Sequence, residues 1–336
     1  MSVFGTATGV GSWPGVSARD AAGVVVGELT GLTHLVELPA RGVGADMIGR
    51  AAALLVDLHV DTVPRGYRIA AGRSAASRRA ISFLDEDVDA LEEAWEKAGL
   101  RGSGRPVKVQ ACGPITLAAQ IELGGGHRAI TDLGAIRDIA ASLAEGVKVH
   151  RSEISRRLET DVVVQFDEPT LPAALAGRLT GVTSLSSVRA IDETFAGGLF
   201  DQCVETVGGD VALHCCAADV PWKLLLQSTF AAVSFDAARL VAADLDGIGE
   251  WVESGRTAML GVVPTTAPDR TPAPEEVAAA AASITDRLGF PRRVLRERIG
   301  ITPACGLAAA TVEWARTATE LTQKVADGIA ADPDSA

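Results

Sequence analysis

Short apolar segments alternate with longer segments of helical periodicity along most of the chain. Eight apolar segments have the length of a β-strand: residues 5–11, 32–38, 106–111, 161–166, 211–214, 231–235, 258–263 and 298–303. In the segments between them, apolar side chains recur every three or four positions, as at Ile136, Ile139 and Leu143, which is the spacing of one helix face. This alternation predicts βα units and a parallel sheet.

The longer segments begin with residues that favour helix termini. Ser17 is a suitable N-cap for a helix over residues 17–29, and Pro274 starts a helix over residues 274–288 whose first turn carries two glutamates. Serine at the N-cap, proline in the first turn and negative charge near the N-terminus all stabilise a helix. Eight strands, each followed by a helix, predict an α/β protein with a (β/α)8 TIM barrel. Further helices are predicted over residues 85–98, 130–158 and 311–329.

The chain carries no linker that would divide it into two domains. No Pro/Ser-rich stretch or shift in composition separates one half from the other, so we expect residues 1–330 to form a single barrel domain. Residues 59–72 are not obviously helical and are predicted to form a small insertion after the second strand. Residues 331–336 are small and polar, and we expect this tail to be frayed.

Composition and charge restrict the possible partners. The chain has 336 residues, 47% of them hydrophobic, which is enough for a large core and excludes a disordered protein. Its net charge of -12 opposes binding to nucleic acid or to an anionic membrane surface. No signal-like N-terminus or apolar stretch of about 18 residues is visible, so we expect a cytoplasmic protein. Five cysteines in such a chain favour free thiols or metal ligands over disulfides.

Metal-capable side chains end several of the predicted strands. His214 and Cys216 end the fifth strand with i, i+2 spacing, which on an extended segment directs both side chains to one side. Cys305 ends the eighth strand and Asp236 ends the sixth. Barrel active sites are built at the carboxyl ends of the strands, and imidazole and thiolate are preferred zinc ligands. These four residues predict a zinc site; the alternative is that the cysteines are ordinary buried residues.

Carboxylates end two other predicted strands. Asp167 and Glu168 follow the fourth strand, and Glu37 lies at the end of the second. At the mouth of a barrel, a carboxylate binds an amine, acts as an acid or base, or caps the following helix. The residues themselves leave these roles open, and Glu37 has the further alternative of a solvated loop position.

Five short segments match motifs of one known family: GVGSWP (9–14), GPIT (113–116), QFDEP (165–169), HCC (214–216) and PACGL (303–307). The HxC and CGL motifs together are the most specific part. On these residues the chain resembles the catalytic barrel of cobalamin-independent methionine synthase. The wider superfamily also contains uroporphyrinogen decarboxylase and corrinoid-linked methyltransferases. The resemblance extends over most of the chain.

The resemblance implies an activity like that of 5-methyltetrahydropteroyltriglutamate-homocysteine S-methyltransferase, which converts homocysteine to methionine. It places His214, Cys216 and Cys305 at the zinc ligands of the family, with Asp236 where the family usually has a glutamate. Ser12, Glu37 and Asp167 stand at positions that bind the amino-acid part of the substrate. A carboxylate pair suits the substrate ammonium, and Ser12 with nearby N–H groups suits the substrate carboxylate. Zinc lowers the pKa of the substrate thiol, so that a thiolate attacks an activated methyl group.

Two departures from the family pattern affect the expected methyl donor. The seventh strand of the family ends in a D-x-H-S motif with a histidine proton donor, whereas this chain reads GVVPTT over residues 261–266. The full-length family enzyme also has an additional N-terminal barrel. A cobalt-bound methyl group leaves without protonation, whereas a folate amine requires an acid. We therefore expect methylcobalamin or a methylated corrinoid protein to be the donor, in preference to methyltetrahydrofolate.

Two other functions are compatible with parts of the sequence. The first is a non-enzymatic zinc or amino-acid binding protein, because the proton donor of the family is missing and a fold does not imply a function. The second is a lyase of the uroporphyrinogen decarboxylase kind. That chemistry needs basic side chains near the N-terminus, and no arginine precedes Arg19.

Overall fold

The structure is a computed structural model and describes residues 2–181 and 187–335. Strands and helices alternate through most of this part of the chain, as the pattern of apolar segments predicts. In chain order the elements are α1 (Ala18–Glu28), β1 (Thr33–His34), α2 (Met47–Leu54), β2 (His59–Val63), β3 (Gly66–Ala70), α3 (Ala75–Lys97), β4 (Val107–Cys112), α4 (Pro114–Gln120), β5 (Ile121–Glu122), α5 (Leu133–Leu158), β6 (Val162–Asp167), α6 (Leu171–Leu175), α7 (Glu193–Val207), β7 (Val211–Cys215), α8 (Trp222–Gln227), β8 (Ala232–Asp236), α9 (Ala242–Glu253), β9 (Thr257–Val263), α10 (Pro274–Arg287), α11 (Arg293–Arg298), β10 (Ile299–Pro303) and α12 (Val312–Ala331).

Seven parallel strands of the described chain form the central sheet, in the order β1-β4-β6-β7-β8-β9-β10. Sequential strands are neighbours throughout, and a helical segment follows each of them. The bounds of the last six strands agree with the predicted apolar segments to within one or two residues. The predicted α/β barrel fold is therefore confirmed.

The first predicted strand, residues 5–11, is not a regular strand. Ala7 forms an isolated parallel bridge with Ile301 in β10, and Ser12 forms one with Glu37. This segment thus lies between the last strand and the chain that follows β1, and it closes the curled sheet. Its glycines explain the irregularity, because a Cβ at Gly9 would overlap the His34 ring. A regular strand with a side chain at position 9 would therefore clash with His34.

The predicted insertion after the second strand is present as a β-hairpin. β2 and β3 pair antiparallel, and β3 also pairs in parallel with β5, so that these three strands form a small second sheet. The Arg68 side chain in β3 forms an ion pair with Glu122 in β5, and Arg65 forms a second one with Glu122 at 3.0 Å. These contacts join the hairpin to the chain that follows β4.

Glu168 connects two neighbouring βα units. Its buried carboxylate accepts hydrogen bonds from the backbone N–H groups of Ile115 and Thr116, both at 2.8 Å, and from the Thr116 hydroxyl at 2.7 Å. Helix α4 begins after Gly113, which has no side chain that could cap it. Glu168 therefore caps a helix, which is one of the roles that its position left open. The capped helix is α4 of the preceding βα unit, and not the helix that follows Glu168.

The described chain ends in a helix and a short turn, and the frayed tail over residues 331–336 stays a prediction. Helix α12 reaches Ala331, and Pro333–Ser335 form a 3-10 turn. Within the described residues, no helix combines the length and the apolar character needed to cross a bilayer. That residues 1–330 make up one domain stays a prediction.

The close contact between α2 and α5 provides a test of this packing. A Cβ at Gly146 would overlap the Leu54 carbonyl oxygen, whereas a Cβ at Gly23 in α1 meets nothing within 4 Å. We expect Gly146→Ala to destabilise the fold by about 1–3 kcal/mol through overpacking. Gly23→Ala should stabilise it by about 0.5–1 kcal/mol through helix propensity. Urea denaturation measures both, and equal midpoints for Gly146→Ala and the wild type would contradict this packing.

Candidate active site

The candidate residues lie where the strands end at the mouth of the barrel. In the parallel register, Cys112 of β4 is opposite Asp167 of β6, and Asp167 is opposite His214 of β7. Asp236 ends β8, and Cys305 follows β10, at the same edge of the sheet. The register therefore brings side chains that are far apart in sequence to one end of the sheet.

His214, Cys216 and Cys305 form a compact group of metal-capable side chains. One ligand atom from each residue lies within 4.8 Å of the others. The two sulfurs are 2.8 Å apart, although all five cysteines of the chain are free thiols. One imidazole and two thiols at this separation are a suitable donor set for a tetrahedral zinc ion.

The imidazole of His214 is oriented toward this group. Its Nδ1 lies 3.0 Å from Ser234 Oγ on the neighbouring strand β8, whereas its buried Nε2 has no hydrogen-bond partner. An unpaired buried ring nitrogen costs free energy unless a ligand satisfies it. In metal-ligating histidines, the ring nitrogen that does not bind the metal commonly makes a hydrogen bond that fixes the ring and its tautomer, and the contact between Nδ1 and Ser234 is of this kind. Ser234 was not among the predicted residues; its signal is its position two residues before Asp236 on the same strand.

The two thiols of the group have opposite pKa shifts. The hydrogen bond with Cys216 lowers the pKa of Cys305 to about 4, and His214 and the Gly306 N–H act in the same direction against the effect of burial. The same hydrogen bond raises the pKa of Cys216, with burial as a second cause. The pair therefore shares one negative charge at neutral pH, and a cation near both sulfurs would favour a second.

The structure does not bring Asp236 into this group, in contrast to the expected fourth ligand. Its carboxylate accepts a hydrogen bond from the Ala238 N–H at 3.0 Å and pairs with Arg239 Nε at 3.1 Å. Asp236 directly precedes a 3-10 helix, Ala237–Arg239, whose first N–H groups need an acceptor. That local bond holds the short side chain at the start of the 3-10 helix, and Asp236 is not among the residues whose ligand atoms lie within 4.8 Å of one another.

Asp167 is buried beside the metal-capable group. Gln165 Nε2 donates a hydrogen bond to its Oδ1 at 2.7 Å. Burial raises the pKa of Asp167 to about 7, while His214 and Lys108 lower it and Glu37 raises it further. A cation bound at this carboxylate would favour its charged form.

Ser12 lies next to the loop that carries Cys305. A Cβ at Gly306 would overlap Ser12 Oγ, and the Leu307 N–H donates to the Ser12 carbonyl oxygen at 2.8 Å. The β-bridge between Ser12 and Glu37 also places Glu37 beside Ser12. The structure therefore brings Ser12, Glu37 and Asp167 to the same end of the barrel as the thiols.

Glu37 belongs to a buried network of charges, so the solvated loop alternative is wrong. Arg50 Nε lies 3.6 Å from Glu37 Oε1, and the same guanidinium pairs with Asp87. Arg41 Nη2 donates to both carboxylate oxygens of Asp87, each at 2.7 Å. Burial raises the pKa of Glu37, and Arg50 is the largest influence in the opposite direction. Arg41 also pairs with the exposed Glu86 at 3.3 Å. Each buried carboxylate of this network thus has a guanidinium partner behind the site.

Lys108 in β4 is a site residue that the apolar pattern did not reveal. It is fully buried, and its Nζ donates to the Gly9 carbonyl oxygen at 2.6 Å and to Gln165 Oε1. Burial lowers its pKa to about 7, against the attraction of Asp167 and Glu37. The available signal was a two-residue period of polar side chains, Lys108 and Gln110, within a strand expected to be buried.

The thiol pair gives a test that needs no substrate. After metal removal with a chelator, we expect iodoacetamide to alkylate Cys305 at a rate nearly constant between about pH 6 and 8, because Cys305 is already a thiolate. Cys216→Ala removes the hydrogen bond and should make the rate rise with pH. Peptide mass spectrometry identifies the modified residue. A wild-type rate that rises with pH like that of an ordinary thiol, with a pKa of about 8.5, would contradict the shift.

Several solved structures share this fold. A B12-independent methionine synthase from Shewanella sp. W3-18-1, in complex with selenomethionine, is 12% identical with a TM-score of 0.59, and the match covers 98% of each chain. A putative vitamin-B12 independent methionine synthase from Listeria monocytogenes is 12% identical with a TM-score of 0.58 and 96% of each chain covered. A methyltransferase from Methanosarcina mazei is 12% identical with a TM-score of 0.55, covering 96% of this chain and 93% of that one. A search of curated protein sequences found no match.

A family match identifies the chain more closely than its fold does. Residues 4–328 match the family described as "Cobalamin-independent synthase, Catalytic domain". The expected corrinoid donor and corrinoid protein partner are therefore wrong. β9 does end at Val263 without a histidine after it, but a missing acid at one strand end does not determine the donor, since other groups can supply a proton. Neither the lyase nor the non-enzymatic alternative agrees with this match: the chain belongs to the cobalamin-independent synthase catalytic-domain family and is a methyltransferase.

Proposed function

We propose that this protein is a zinc-dependent methyltransferase that converts homocysteine to methionine, with a methyltetrahydropteroylglutamate as methyl donor. One observation carries the proposal: a ring nitrogen of His214 and the sulfurs of Cys216 and Cys305 lie within 4.8 Å of one another, next to the buried carboxylate of Asp167. The donor follows from membership in a cobalamin-independent family.

In this proposal His214, Cys216 and Cys305 are the zinc ligands. Three protein ligands leave one position of a tetrahedral ion open, which is the arrangement of catalytic rather than structural zinc. Zinc bound there would supply a Lewis acid that keeps the homocysteine sulfur as a thiolate at neutral pH. Ser234 keeps the His214 ring in place by its contact with Nδ1.

The amino-acid part of homocysteine is assigned to the residues around Ser12. Glu37 and Asp167 bind the substrate ammonium, and the Ser12 hydroxyl donates to the substrate carboxylate. Charge-assisted hydrogen bonds of this kind are shorter and stronger than neutral ones. Because Ser12 lies next to the Cys305 loop, this position would orient the thiol toward the proposed metal ligands.

In the reaction, the homocysteine sulfur attacks the methyl carbon of the donor. The S–C bond forms as the N–C bond breaks, and the departing folate nitrogen takes up a proton. Thr265 and Thr266, which follow β9, are not acids at neutral pH, so this proton comes from another group.

The match of 98% of the chain with a solved synthase of similar length supports a single barrel domain over residues 1–330.

The metal assignment and the donor can be tested together. We expect about one zinc per chain and methionine formation from homocysteine and methyltetrahydropteroyltriglutamate. The double variant Cys216→Ser/Cys305→Ser should lose both the zinc and the turnover. Asp236→Asn is the control and should retain the zinc, because its carboxylate is bonded to Ala238 and Arg239. Zinc that survives the double substitution would show that the ion binds elsewhere.

The ammonium assignment has its own test, in which the ligand is varied. 4-Mercaptobutanoate is homocysteine without its amine, so the ratio of the two dissociation constants reports ammonium recognition alone. We expect Asp167→Asn to weaken homocysteine binding about tenfold or more, from the loss of roughly 1.5–3 kcal/mol, and to leave 4-mercaptobutanoate binding and zinc content unchanged. Asp161→Asn, at the exposed start of the same strand segment, is the control in calorimetry. An unchanged ratio in Asp167→Asn would remove Asp167 from the site.

A further inference from the structure

Lys108 makes an unusual set of contacts inside the barrel. Its Nζ donates to the carbonyl oxygens of Gly9, at 2.6 Å, and Val10, at 3.4 Å, and to Gln165 Oε1. The side chain is completely shielded from solvent. Burying an ammonium group is costly even when it is hydrogen-bonded, and an apolar side chain would fill the same space at a lower cost. Filling the core does not account for a lysine at this position.

Gln165 connects Lys108 to Asp167. While its Oε1 accepts from Lys108, its Nε2 donates to Asp167 Oδ1 at 2.7 Å and to the Val10 carbonyl oxygen at 2.9 Å. A charged lysine is only a donor, so the atom of the Gln165 amide that faces it must be the oxygen. The amide nitrogen must then face Asp167. Lys108, from the oxygen side, and the Val10 carbonyl, from the nitrogen side, therefore both favour the amide orientation that Asp167 meets.

The carboxylates near Lys108 favour its protonated form, against the burial that lowers its pKa to about 7. Asp167 and Glu37 both attract its charge. Glu37 in turn pairs with Arg50, and Arg50 pairs with Asp87. The charges of Arg50 and Asp87 cancel, so these two residues add no net charge near Lys108. Burial, with Lys108 as the second cause, lowers the pKa of His34 to about 3, so that this neighbour is neutral.

We propose that Lys108 is a positioning residue for substrate recognition: its ammonium group fixes the orientation of the Gln165 amide, and Gln165 thereby holds the Asp167 carboxylate toward the substrate ammonium. This inference rests on the proposed function, because it assumes that Asp167 binds an ammonium. Without Lys108, the buried Gln165 Oε1 would lose the donor that holds it, and only the bonds from Nε2 to Val10 and Asp167 would keep the amide in place. The Asp167 carboxylate would then be held less firmly toward the substrate ammonium.

The test uses the zinc-loaded full chain and compares homocysteine with 4-mercaptobutanoate by calorimetry. We expect Lys108→Met to weaken homocysteine binding about tenfold, while 4-mercaptobutanoate binding stays within about twofold of the wild type. Lys148→Met, an exposed lysine on α5, is the control and should change neither constant. Equal weakening of both ligands by Lys108→Met, or of neither, would overturn the proposal, because a purely structural lysine has no reason to act on the ammonium alone.

A double-mutant cycle tests whether Lys108 acts through Asp167. In the Asp167→Asn background, Lys108→Met should cause little further loss of homocysteine affinity, and full additivity would contradict the proposal. If Lys108→Met does not fold, Gln165→Met removes the same connection from the other side and should show the same selective loss. A wild type that binds both ligands equally well would instead refute the ammonium site of the proposed function. If the wild type binds homocysteine more tightly than 4-mercaptobutanoate and Lys108→Met keeps the same ratio of dissociation constants, only the role of Lys108 is refuted.

Discussion

Closure of the sheet by the glycine-rich first segment is the constraint on which the active-site geometry depends. Residues near Ala7 pair with β10, and Ser12 pairs with Glu37 after β1, so one short segment joins the two edges of the curled sheet. That pairing places Ser12 against Gly306 and beside Cys305. The proposed substrate and metal residues thus meet because the barrel closes there, and side chains on the glycines would keep the edges apart.

The interior next to this closure is polar, which is costly for a barrel core. Lys108 and Gln165 fill it from two strands, and Asp167 and Glu37 lie nearby with raised pKa values. Each buried charge has an opposite charge or a hydrogen-bond partner, as burial requires. A substrate ammonium would enter a site whose carboxylates are already oriented, so less of its binding free energy goes into ordering the protein.

The metal-capable group next to these residues is also held by hydrogen bonds. His214 Nδ1 contacts Ser234, and the imidazole lies within 4.8 Å of two sulfurs, one of which has a pKa lowered to about 4. Asp236, which the sequence placed at the same edge, instead caps a 3-10 helix. A set of three ligands is consistent with a catalytic site that leaves a position for the substrate sulfur.

Local patterns along the sequence were sufficient to predict the order of most strands and helices, an insertion after the second strand and the strand ends at which His214, Cys216 and Cys305 lie. They were sufficient because periodicity and strand-end position are properties of nearby residues. The irregular first segment and the network around Lys108 depend on contacts between residues from 25 to 294 positions apart along the chain, which only the closed sheet brings together. The orientation of Asp236 depends instead on hydrogen bonds to Ala238 and Arg239, which the residue type alone did not predict. A lysine within an apolar strand has the same local pattern whether it packs alone or pairs with Gln165. Tertiary structure decided between these possibilities, because the free energy of a buried charge depends on its partners in space rather than on its neighbours in sequence.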